Sequence, residues 1–140
     1  AATQMANLSR SGGLPMIETQ AHAFACRVFF VSERAIVAVS GDIDLATAPK
    51  VERKINEALA LPISGIRVDL GDVTFLDSSG LHVLLQAQSR ANERGIAFAL
   101  AAVPREAMRV LELTGMTERF RFRESAIPRL PAAPPGRTAS

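Results

Sequence analysis

The sequence predicts an α/β fold: a single domain built on one mixed sheet of four or five strands, with helices packed against it. Three observations carry this. β-Rich runs alternate with amphipathic helical stretches in the order β-β-α-β-α-β-α-(β). Only Ser32-Glu33-Arg34 separates the first two runs, so they form a hairpin, whereas helices separate the later ones, which makes those strands parallel. The chain has 140 residues, 48% hydrophobic and 21% charged, which suits one domain with its own core and is too short for two.

Residues 1–20 carry Gly12-Gly13 and Pro15 without a sustained period and are expected to be a flexible leader. Phe24–Val31 and Ile36–Ser40 are the hairpin strands. Across Thr47–Leu61, Val51, Ile55, Ala58 and Leu59 make the i, i+4, i+7, i+8 stripe of a helix, with Pro49 tolerated in its first turn and Pro62 and Gly65 beyond its end. Ile66–Leu70 alternates as a strand, and Gly71–Asp77 reads as a turn. Leu81, Leu84 and Leu85 begin a second helix that stops at Gly95 through a left-handed cap. Ile96–Ala101 is a nearly continuous apolar run, as in a strand buried on both faces. Pro104 opens a third helix, with Ala107, Val110, Leu111 and Thr114 on one face, ending at Gly115. Phe120 and Phe122 flank Arg121 in a last edge strand, where Arg119, Arg121 and Arg123 form a small basic face. The domain is expected to span 21–124. Residues 125–140, with Pro128, Pro131, Pro134 and Pro135, are expected to be a flexible tail, because proline lacks the backbone donor that sheets and helices need.

Composition narrows the function. Aromatic residues make up 5%, with no Trp or Tyr, which argues against base-stacking platforms. Sixteen Lys and Arg against 14 Asp and Glu leave a charge of +2 and no clustered cationic stripe, so direct nucleic-acid binding is not expected. A single cysteine, Cys26, rules out an internal disulfide framework and is expected to be a buried small apolar side chain. Two histidines, His22 and His82, leave little for a Cys/His metal site. No apolar run approaches the about 20 residues of a spanning helix, and the first residues lack a secretory apolar region. The expectation is a cytoplasmic protein without metal, cofactor or membrane association.

The chemistry concentrates in Asp77-Ser78-Ser79-Gly80-Leu81, at a strand–loop–helix junction. Asp and Ser are favoured helix N-caps because their oxygens accept from the unpaired N–H groups of the first turn. The same N–H groups and the positive end of the helix dipole make an anion site. A phosphate on Ser78 or Ser79 would bring about −2 charge beside Asp77 and remake the surface without unfolding the core.

Three blocks together resemble the STAS domain, shared by anti-sigma factor antagonists and sulfate transporters. They are Val39–Ala48 (VSGDIDLATA), Val68–Leu81 (VDLGDVTFLDSSGL) and Ala107–Met116 (AMRVLELTGM). The resemblance runs from about Phe24 to Phe122 and implies a non-enzymatic anti-sigma factor antagonist. In that family the first Ser of D-S-S-G accepts phosphate, which corresponds to Ser78. The resemblance further implies that the unmodified protein binds an anti-sigma factor that is also a serine kinase, freeing the sigma factor. The kinase, using its own ATP and Mg²⁺, then modifies Ser78 and ends binding, and a serine phosphatase resets the switch. Asp44, Asp77, Ser79, Gly80 and His82 would shape the partner contact, with His82 standing where the family often has a second Gly. The alternative within the family is an accessory or scaffolding subunit, without phosphate control, in a signalling or lipid-transport complex.

Other chemistry is weakly supported. Ser78 as a hydrolase nucleophile would need a base and an orienting group, and His82 four residues on has no third partner in sequence. Asp42 and Asp44, two apart in an extended segment, share one side and could pair as carboxylates, although acids at strand ends are mostly solvated.

Overall fold

A computed structural model describes residues 23–127. The expected leader therefore lies outside the described residues, as do His22 and the tail from Pro128 onward. Five strands form one sheet: β1 (Ala25–Val31), β2 (Arg34–Ile43), β3 (Gly65–Leu76), β4 (Ala97–Ala101) and β5 (Phe122–Arg123). Three helices connect them: α1 (Ala48–Leu59), α2 (Ser78–Glu93) and α3 (Arg105–Leu113), the last followed by a 3-10 turn at Thr117–Arg119. The spatial order of the strands is their chain order, β1-β2-β3-β4-β5. β1 and β2 are antiparallel, and every later pair is parallel. This is the mixed α/β sheet that the alternating pattern predicts.

The hairpin turns through Ser32-Glu33, with Val31 opposite Arg34 and Ser32 in the left-handed region at φ 56°. Alternate residues of β2, β3 and β4 face the helices: Ala35, Val37 and Val39, then Ile66, Val68 and Leu70, then Phe98 and Leu100. They form one core with Val51, Ile55 and Ala58 of α1, Leu81, Leu84 and Ala87 of α2, and Ala107 and Leu111 of α3. α1 and α2 are also clipped together. Arg90 of α2 donates to Glu52 at 3.3 Å and to Asn56 at 3.0 Å. Arg94 donates to the Leu59 carbonyl at 2.9 Å.

Both predicted glycine stops are real. Gly95 and Gly115 have φ of 70° and 72°. After α2, Ile96 N–H reaches Ala91 O at 2.9 Å and Gly95 N–H reaches Asn92 O at 3.1 Å. After α3, Met116 N–H reaches Leu111 O at 2.8 Å and Gly115 N–H reaches Glu112 O at 3.2 Å. These are paired Schellman bonds, which need a left-handed residue at that position.

Three local expectations are corrected. Gly71–Asp77 is not a turn, because β3 continues through Leu76. It does so by two irregularities in its pairing with β2. Ala38 opposes Asp69 but Ser40 opposes Asp72, and Gly41 opposes Val73 but Asp42 opposes Phe75. An extra residue thus enters β3 twice, the usual meaning of a glycine inside a strand. The Asp69 carboxylate takes up the Gly71 N–H at 2.9 Å.

β4 is not buried on both faces: Phe98 and Leu100 are buried, but Ala97 is exposed and Ala99 half-buried. The last strand is only two residues long, so the three arginines do not share it: Arg119 sits in the 3-10 turn and Arg121 precedes β5. The described residues continue past β5 to Ile127. Ser125, half-buried, donates from its hydroxyl to Asp69, which is itself fully buried on the face away from the helices. Ile127 reaches a hollow bordered by Ala25, Phe29 and Ser40.

Candidate functional site

β2 and β3 run parallel and end together, with Ile43 opposite Leu76. The two segments that leave them, Asp44–Thr47 and Asp77–Gly80, therefore emerge side by side, joined by Asp77 N–H to Ile43 O at 3.2 Å. In open α/β sheets the carboxyl ends of the strands are where binding segments gather.

Asp77 is the N-cap of α2. Its backbone is extended, and Oδ1 accepts from Ser79 N–H at 2.8 Å and Gly80 N–H at 3.2 Å. Ser78 is the first helical residue and is exposed, whereas Ser79 is half-buried. The two serines that the motif left as alternatives are thus distinguished by access. Gly80 is buried, and a Cβ placed there would lie 2.3 Å from Leu76 Cδ1 and 2.7 Å from Ile43 Cγ2. The glycine lets the first turn of α2 settle directly on the ends of β2 and β3. His82, exposed, projects from α2 one turn beyond Ser78 on the same side.

Asp44 organises the neighbouring turn. Its Oδ1 accepts from Ala46 N–H at 3.0 Å and Thr47 N–H at 3.1 Å, an Asx turn leading into α1. Thr47 Oγ1 donates to Asp42 O at 2.7 Å and accepts from Asp44 N–H at 2.9 Å. Asp42 faces another way, accepting from Thr74 Oγ1 at 2.6 Å. The weakly supported Asp42–Asp44 carboxylate pair does not form, because β2 ends at Ile43 and Asp44 already belongs to the turn.

Two apolar residues missing from the sequence-based set frame this end of the sheet. Leu45 is 79% exposed and Phe75 is 53% exposed. A groove of about 350 Å³ runs from Phe75 and Leu76, just before the Asp77 cap, to Pro104 and Val110 beside and on α3. The run Phe75-Leu76 held a signal: two adjacent apolar residues in a strand point to opposite faces, so one must leave the core. Reading Gly71–Asp77 as a turn hid it.

The site offers an exposed hydroxyl at a helix N-terminus, two carboxylates engaged in structural bonds, and exposed apolar side chains. Among the described residues His82 and Ser78 are not hydrogen-bonded to each other, and His82 has no orienting partner.

Residues 28–126 match the family model for the STAS domain. The anti-sigma-B factor antagonist of Listeria monocytogenes is 31% identical over 80 residues, covering 57% of this chain and 70% of that protein. The anti-sigma-F factor antagonist RsfB of Mycobacterium tuberculosis is 31% identical over 88 residues, covering 63% of this chain and 71% of that protein. The crystal structure of an anti-sigma factor antagonist from Mycobacterium paratuberculosis aligns with a TM-score of 0.67 at 27% identity, over 78% of this chain and 92% of that one.

Proposed function

The chain belongs to the STAS domain family, and from that premise we propose that it is a non-enzymatic anti-sigma factor antagonist whose binding is switched by phosphorylation of Ser78. The observation that carries the reading is the setting of that serine. Its hydroxyl is exposed on the first residue of α2, next to a carboxylate that already occupies the N–H groups of the first turn.

A phosphate on Ser78 carries about −2 charge and seeks the same N–H donors and the same positive helix end. It competes there with Asp77 Oδ1 for the Ser79 and Gly80 amides. Asp44, one residue beyond the carbonyl that holds Asp77, adds a further negative charge to the same end of the sheet. Modification therefore turns a mildly acidic, partly apolar surface into a strongly anionic one, while the strand ends beneath it stay packed. Leu45, Phe75 and His82 give the unmodified surface its docking area, with Asp44, Asp77 and Ser79 at its polar centre. Gly80 contributes by bringing α2 close to the sheet.

In this reading the partner is an anti-sigma factor with serine kinase activity. The kinase brings ATP and Mg²⁺, a serine phosphatase restores the hydroxyl, and the exchange takes place in the cytoplasm. The test is incubation with ATP and the cognate kinase, followed by mass spectrometric mapping. A single phosphate on Ser78, absent from Ser78→Ala, is the expected result. Modification elsewhere that persists in Ser78→Ala removes Ser78 from the mechanism. Titration calorimetry with the anti-sigma factor should then show Ser78→Asp binding weaker by about tenfold or more, a loss of about 1.4 kcal/mol.

A further inference from the structure

The sheet face away from the helices carries a groove at the opposite end of β3 from Ser78. Its floor follows from register. Arg34, Gly65 and Ala97 lie abreast on β2, β3 and β4, and Ile36, Arg67 and Ala99 lie abreast one step along. Gly65, Ala97 and Ala99 have little or no side chain, so the sheet surface dips between the bulkier Val31 and Ile36 on one side and Arg121 and Arg123 on the other. The hollow is about 300 Å³, at the lower end of ligand-sized sites, which run from about 300 to 1,000 Å³.

Its charge is one-sided. Arg34, Arg67, Arg121 and Arg123 line it, and no acidic residue does. None of the four has a carboxylate within ion-pair distance among the described residues, where the one salt bridge is Arg90–Glu52. Arg67 is held in place by donating to the Glu124 carbonyl at 2.9 Å, which leaves its other N–H groups to a ligand. Arginine forks are suited to carboxylate and phosphate oxygens.

The candidates for covering the groove differ in charge. The tail after Ile127 has Arg129 and Arg137 and no acid, and the leader has Arg10 balanced by Glu18. A second copy would set the same arginines against one another. We propose that this groove binds a small amphipathic anion: an apolar body laid along Gly65, Ala97 and Ala99, with an acidic head held by the arginine rim. The site is separate from the Ser78 surface, and its outcome does not depend on the switch.

Octanoate, octanol and acetate serve as probes in NMR titrations of the 140-residue chain. Octanoate is expected to shift the amides of Gly65, Arg67, Ala97 and Ala99 in a saturable manner. Octanol, lacking the charge, and acetate, lacking the apolar body, should bind at least tenfold more weakly. Arg34→Gln and Arg121→Gln, both at exposed positions, should each weaken octanoate about tenfold. Ala97→Leu fills the groove from an exposed position and should abolish the shifts, whereas Arg53→Gln on α1 should leave affinity unchanged. The proposal is overturned if octanoate produces no saturable shift, if octanol matches it, or if Arg53→Gln weakens binding as much as the rim variants.

Discussion

Asp77 holds the start of α2 with one carboxylate oxygen, and Gly80 holds it against the sheet by having no side chain. Asp77→Ala removes the cap and should cost about 1 kcal/mol, read as a lower urea midpoint with an unchanged slope. Gly80→Ala should cost about 1–3 kcal/mol, since the new methyl group meets the stiff β-branched Ile43 and only Leu76 can swing aside. D-S-S-G was legible as a helix start because capping is local chemistry. The tight seat of Gly80 was not, since Ile43 lies far away in sequence. Cys26 makes a different case. It is half-buried on β1, and desolvation pushes its thiol from 9.0 up to about 11, with Lys54 partly offsetting the rise. Labelling with a thiol reagent at pH 8 should therefore be much slower in the folded chain than in urea. The unfolded thiol ionises first as pH rises, so this group's contribution to stability is fully present below pH 9.0 and lost on the way to about 11. Cys26→Ser should flatten that part of the stability profile.

Helices were read more accurately than strand ends. The stripe Val51, Ile55, Ala58 and Leu59 is buried as the period requires, because a helix declares its face every 3.6 residues by its own geometry. The glycine stops were also visible. Gly95 has open space around the place where a Cβ would go and a φ of 70°, so its substitution tests backbone conformation alone. Gly95→Ala should cost about 1–2 kcal/mol, measured by thermal or urea unfolding, with no packing defect. β3 was the main loss. Its second half contains Gly71, Asp72 and Thr74, which are turn-forming by composition, but β2 supplies a partner and two bulges absorb the mismatch. Partners distant in sequence decide such a strand, and local preference does not contain them. The same limit explains β4, whose run of apolar residues concealed an open second face lined by alanines.

The described residues form a sheet with three helices on one face and the segment after β5 crossing part of the other. Ser125 pins that segment by donating to Asp69, a carboxylate with no solvent exposure. Ser125→Ala removes one donor from a buried acid and should cost about 1–3 kcal/mol, with the earliest loss of amide protection in residues after Arg123. Hydrogen exchange measured at Ser125–Ile127 against β3 checks this. The fold class, with one antiparallel hairpin followed by parallel strands, was accessible from alternation alone, whereas the spatial order of the strands was not. Nor was the Asp69–Ser125 bond, since it joins two residues whose separation along the chain gives no periodic signal.

The spatial order of the strands repeats their order along the chain. Each strand after the first is therefore added to an edge left by its predecessor, and none has to be inserted between two already paired. A polypeptide leaving the ribosome can extend this sheet in the sequence in which it is synthesised, with every loop closed over one helix or one hairpin. Loop closure of that length is entropically mild and favours rapid assembly. The last strand to arrive, β5, brings Arg121 and Arg123 to the groove and Ser125 to Asp69, so both are completed only when translation of the domain is nearly finished.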